Sequence, residues 1–170
     1  MVERFAPAAA PAFPWLFPYE EDGVRLDSVV LRPVAPISIV GREVAPVGPA
    51  LVDSGCEHVL AAPWVARAAL VDLDSSTREV VLGLGGEGVR VRFVDLTVRL
   101  HAPGVEGDEV FVEWQTEVGF LSHWRPTFQA LLGQVGFLDR FTVTFSRQAQ
   151  RLAVEDGAAF DRRFGVPLAD

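Results

Sequence analysis

Residues 78–100, REVVLGLGGEGVRVRFVDLTVRL, leave the chain few ways to fold. Two pieces rich in β-branched residues flank a glycine cluster, Gly83, Gly85, Gly86 and Gly88, which predicts a hairpin. In the second piece Val89, Val91 and Phe93 are apolar at odd positions, and Val94, Leu96, Val98 and Leu100 at even ones. Successive strand side chains point to opposite faces, so the apolar phase reverses at Phe93/Val94. The reversal predicts a bulge or a strand that changes the surface it packs against. Residues before it then belong to a projecting hairpin and residues after it to the body.

The rest of the chain also reads mainly as strand. GVRLDSVVLRPV, residues 23–34, is β-branched and ends at proline; APISIVG follows between proline and glycine. GPALVDSG, residues 48–55, carries a continuous apolar run, as in a strand buried on both faces. VFVEWQTEVGF resumes strand character after the turn-rich APGVEGDE. FTVTF, with Phe141, Val143 and Phe145 on one face, can pair with RLAVE across a turn at SRQAQ. The best helix candidate is APWVARAALVD, residues 62–72, with Pro63 in its first turn. The expected fold is mainly β, with one or two short helices.

Residues 1–20 form a Pro/Ala/aromatic arm with prolines at 7, 11, 14 and 18, which exclude an export-signal helix. Phe13, Trp15, Phe17 and Tyr19 are too apolar for a solvated tail. The arm is expected to pack on the domain; the alternative is that it covers a neighbouring subunit or a substrate groove. A domain over 21–157 and a tail over 158–170 complete the expected organisation. The formal net charge of −8 argues against nucleic-acid and anionic-membrane partners. One cysteine, Cys56, excludes an internal disulfide and fits a reducing cytoplasm. No apolar run approaches the ~20 residues of a spanning helix.

Chemistry enters at PALVDSGCEHVLA, residues 49–61, where a buried-type strand runs into Asp53. Asp53-Ser54-Gly55 alone reads equally as a turn. In order along the chain come Asp53-Ser54-Gly55 after an apolar strand, the glycine-rich hairpin, and Leu131-Leu132-Gly133 before FTVTF and RLAVE. This ordered set resembles the retropepsin-like aspartic proteases over about residues 24–155. The resemblance implies a single-lobe acid-protease β-barrel of the bacterial type, with GFLDRF, residues 136–141, as a short helix. It implies Asp53 as the catalytic acid and Ser54 and Gly55 as support for its loop. Leu131-Leu132-Gly133 is the hydrophobic-hydrophobic-Gly element, its leucines a dry floor under the acids. Gly83, Leu84, Gly85, Gly86, Glu87 and Gly88 are the flap. No cofactor and no metal are implied. Two residues depart from the family pattern: Cys56 stands where a small residue is usual, and Gln134 where many members carry a dimer-supporting arginine.

Amide hydrolysis needs an activated water and a proton for the departing nitrogen. Two adjacent carboxyls sharing one proton supply both. The chain offers one suitable triplet: Asp74-Ser75-Ser76 lacks the glycine, and Asp22-Gly23 and Asp156-Gly157 lack the hydroxyl residue. The inference is a symmetric homodimer with Asp53 from each subunit, cleaving an extended peptide bound by strand addition. The arm segment AFPWLFPY would suit self-cleavage. The rival reading is a dimer of the same fold that binds peptides or scaffolds an assembly without efficient cleavage. Two other chemistries are open on residue types alone. Cys56 and His58 could face the same way at i,i+2 on an extended strand, as in a thiol hydrolase. Cys56, His58, His101 and His123 could ligate a metal, although their spacings match no zinc pattern. Trp114, Trp124 and Phe128 are expected in the core, or else lining pockets or the dimer contact.

Overall fold

In the computed structural model, residues 12–25, 28–76, 78–84, 87–104 and 110–165 are described, without the side chains of 24, 25, 84 and 87. The chain begins with β1 (Trp15–Pro18), the hairpin β2 (Glu20–Arg25) and β3 (Ser28–Arg32), β4 (Val34–Val40), β5 (Gly48–Val52) and β6 (Val59–Ala61). Helix α1 (Pro63–Ala68) then leads to the long hairpin β7 (Arg78–Leu84) and β8 (Glu87–His101). β9 (Phe111–Leu121), β10 (Ala130–Leu132), β11 (Phe141–Ser146), β12 (Arg151–Asp156) and helix α2 (Gly157–Phe164) complete the order. β4-β5-β10-β6-β9-β8 are neighbours in that order, and β8 pairs back onto β4 to close a six-stranded barrel. The fold is mainly β, as the patterning predicts.

β8 explains the reversal at Phe93/Val94. One edge pairs with β9 without a slip from Val91↔Leu121 to His101↔Phe111, so no bulge interrupts that ladder. Its other edge holds β7 as far as Phe93 and takes up β4 at Thr97. Val91 and Phe93 bury against Leu60, Leu121 and Leu131 on one face; Val98 and Leu100 bury in the main core on the other. Of the two expectations, the change of packing surface is correct and the bulge is not.

Several barrel strands are apolar on both sides for the same reason. In β5, Ala50 and Val52 enter the main core while Leu51 packs on the second cluster. In β9, Val118 and Phe120 face the core and Leu121 the second cluster. Gly119 lies between them in sequence. A Cβ there would sit 2.7 Å from Leu60 Cδ2 and from Val91 Cγ1, so only glycine lets the second cluster close.

The described part of the arm packs on its own domain. β1 pairs antiparallel with β12, which pairs in turn with β11 across the expected turn. Trp15 and Phe17 are buried. Trp15–Pro18 within AFPWLFPY are therefore a paired strand and not a free peptide; residues 1–11 lie outside the described residues.

Two helix expectations need correction. Residues 136–140 are linked turns: Leu138 and Asp139 N–H donate five residues back, to Gly133 and Gln134, while Arg140 and Phe141 donate to Phe137. Gly136, at φ +95°, starts the segment outside helical space, and Asp139 accepts its N–H. The second helix is instead α2, in the stretch read as a tail. Asp156 caps its Ala159 N–H at 2.6 Å, and Gly165 ends it in the left-handed region. Arg163 reaches 2.6 Å from buried Glu155, tying α2 to β12. Among the described residues no helix is long and apolar enough to cross a membrane.

Trp15→Ala should lower unfolding free energy by about 3–5 kcal/mol, because a large side chain at 2% exposure is removed. Urea denaturation checks it, with exposed Leu16→Ala expected to be nearly neutral.

Candidate active site

β5 ends at Val52, and the chain turns through Asp53, Ser54 and Gly55 before β6 begins at Val59. β10 lies between β5 and β6: parallel to β5, with Leu131↔Leu51 and Leu132↔Val52, and antiparallel to β6. Asp53 N–H therefore continues the ladder by donating to Leu132 O at 3.1 Å. Beyond it, Gln134 N–H donates to Cys56 O at 2.9 Å and Val135 N–H to Glu57 O at 2.7 Å. The Gln134 side chain donates to Ser54 O at 2.8 Å. Each such bond contributes roughly 0.5–1.5 kcal/mol net, and together they hold the loop in one place.

Gly133 permits this lacing. A Cβ at 133 would collide with the His58 carbonyl oxygen and lie 2.7 Å from that of Cys56. Both obstacles are backbone and cannot swing aside. Gln134 thus acts inside its own chain, and a side-chain amide next to a loop carbonyl gives no local signal in the sequence.

Asp53 is half-buried. Its Oδ1 accepts Gly55 N–H at 2.9 Å, so the turn reading of Asp-Ser-Gly is correct as far as it goes. No hydrogen bond or ion pair to its Oδ2 occurs among the described residues, and the same holds for the exposed Ser54 hydroxyl. A cavity of about 350 Å³ opens beside the carboxylate, lined by Asp53, Gly55, Leu60, Leu82, Gly83 and Leu131 among others. Leu82 and Gly83 come from the β7–β8 hairpin, which places that hairpin over the loop. Gly83 pairs with Gly88 and Leu84 with Glu87; Gly85 and Gly86 lie outside the described residues.

Only one of the two leucines lines the cavity. Leu131 faces it, and Leu132 is turned into the main core, because neighbours along β10 point to opposite faces. The expectation of a two-leucine floor is corrected to a floor of Leu131 and Leu60. Trp114 is buried and donates its indole N–H to Gly136 O at 2.7 Å; Trp124 and Phe128 contact edge to face against the second cluster.

The thiol reading loses its geometry. Residues 54–57 form turns and a bend, not an extended strand. The Cys56 thiol donates to the His58 backbone carbonyl at 3.1 Å, and the His58 ring packs edge-on to Phe93. Burial pushes the Cys56 thiol up; the hydrogen bond to the His58 carbonyl offsets part of that rise, and the carboxylates of Asp53 and Glu57 add smaller rises. His101 is buried far away with Nε2 2.9 Å from Ser38 Oγ. Among the described residues no group of three or more His, Cys, Asp or Glu is placed to hold a metal.

No family model matches the chain, and no curated protein matches it. Among solved structures it is similar to the retroviral protease-like domain of Ddi1 from Leishmania major. That match has 14% identity and a TM-score of 0.44, and covers 75% of this chain and 94% of that one. At such values the functional reading rests on this chain's own residues.

Gly133→Ala should cost about 1–3 kcal/mol by overpacking, whereas Gly83→Ala, with open space around its Cβ, should be tolerated. Thermal melts of the two variants check the contrast. Cys56 should also react with iodoacetamide more slowly than a free thiol at pH 8, because its raised pKa leaves less thiolate there; mass spectrometry of alkylated protein follows the rate.

Proposed function

We propose that this chain is one subunit of an aspartic endopeptidase, a homodimer in which the two Asp53 carboxyls meet across a two-fold axis. The observation that carries the reading is the setting of Asp53. One carboxylate oxygen is held by Gly55 N–H, and the group borders a cavity lined in part by Leu60, Leu82 and Leu131 under a glycine hairpin. The order of the three motifs along the chain supports the same reading.

A single carboxylate supplies a base and no acid. Two that share a proton supply both: the charged one takes a proton from water, and the protonated one polarises the amide carbonyl. The pair titrates as a unit. Since the chain carries one Asp-Ser-Gly, the second acid comes from a second copy. The lacing of the loop to Gly133 and Gln134 sets where each Asp53 stands and so lowers the cost of bringing the two carboxyls together. The hairpin acts as a flap whose closure excludes water from the cleft. Leu60, Leu82 and Leu131 suit an apolar side chain next to the cleaved bond.

Incubating the protein with an unstructured protein such as casein should give cleavage that a pepstatin-type inhibitor blocks. Asp53→Asn should slow it by about 10²–10⁴-fold. Cleavage that survives Asp53→Asn contradicts the mechanism. A stable dimer that cleaves nothing from acid to neutral pH favours the scaffold reading, and a monomer at high concentration contradicts both.

A further inference from the structure

Two cavities of about 520 and 620 Å³ lie along α1, away from the Asp53 carboxylate. Both are lined by Pro63, Arg67 and Ser122, so they form one groove with Arg67 at the junction. The first has an apolar floor, with Leu70, Val71 and Phe120, and carries Arg90 and Arg92 on its rim. The second adds Trp64, Trp124, His123 and Arg125. No Asp or Glu is among the described residues that line either one. Among the described residues the groove gathers four arginines on a chain whose net charge is −8.

The cations divide into two kinds. Arg90 and Arg92 are held by Glu79 and Asp74. Arg67 and Arg125 are exposed and have no ion pair among the described residues. Trp64 is 40% exposed beside them. Leu70 follows α1 at φ +50° and is 54% exposed, in a conformation where glycine is the usual residue. That conformation closes α1, with Val71 N–H donating to Ala66 O at 2.8 Å, and leaves the Leu70 side chain at the mouth of the groove.

We propose that this groove docks a short acidic segment of a partner protein, with carboxylates on Arg67 and Arg125 and apolar side chains against Trp64 and Leu70. Guanidinium groups take carboxylates in bidentate pairs, and indole faces take apolar or planar groups. The chain's overall negative charge opposes a long polyanion, which favours a peptide with interspersed apolar residues over a nucleic acid. The site stands without the proteolytic reading. Leu121 borders both the groove and the Asp53 cavity, so a docked segment would lie close to the cleft.

The test uses the full chain carrying Asp53→Asn, so that the probe stays intact. A fluorescein-labelled peptide of alternating Glu and Leu is titrated and followed by anisotropy, beside a counterpart with Gln for Glu. Saturable binding is expected, weakening as salt is raised. Arg67→Ala with Arg125→Ala, and separately Trp64→Ala, should each weaken it by about tenfold or more. Both changes are at exposed positions, and circular dichroism confirms that the variants are folded. Equal binding of the Gln peptide, undiminished binding by the double arginine variant, or saturable binding of a single-stranded oligonucleotide in place of the peptide overturns the proposal.

Discussion

The backbone of Gly133 lies against the carbonyls of Cys56 and His58, and the geometry around Asp53 depends on that contact. Three segments far apart in sequence meet there: the end of β5, the turn before β6, and the exit of β10. Any side chain at 133 would push β10 off the turn and break the bonds from Gln134 and Val135 to it. The carboxylate of Asp53 would then lose its fixed position even with its own Asx turn intact. Preorganisation here is a backbone property, achieved by removing one methyl group's worth of volume.

The second cluster is the other condition. A barrel of this size would ordinarily keep one face of each strand wet. Here β5, β6, β9 and β10 put Leu51, Leu60, Leu121 and Leu131 on the outer face, and the hairpin covers them with Val80, Leu82 and Val89. Burial of those side chains at about 25 cal/mol per Å² holds the hairpin down as far as the Leu82–Val89 pair. Val81, between Val80 and Leu82, points to the opposite face and is 69% exposed.

The local pattern in the sequence made much of this legible. The alternation in 87–101 showed the change of faces, and the continuous run before Asp53 showed a strand with two buried sides. The helix at Pro63 and the hairpin of FTVTF with RLAVE follow from caps, turns and period. What stayed hidden depends on distant pairing. Nothing local says that β10 inserts between β5 and β6, so neither the separation of Leu131 from Leu132 nor the reach of Gln134 to Ser54 O could be read. GFLDRF, expected as a helix from the resemblance alone, forms linked turns with Phe137 and Phe141 buried. Asp156 and Gly165, a cap and a stop around α2, are by contrast local signals in the sequence.

The central claim is that Asp53 works as a pair drawn from two chains. Mixing wild-type subunits with Asp53→Asn subunits, unfolding and refolding them together, and measuring cleavage at constant total protein tests it directly. If two Asp53 carboxyls are needed, activity follows the square of the wild-type fraction, because only dimers with two wild-type subunits are competent. Activity that follows the fraction linearly would show each subunit acting alone and would contradict the account.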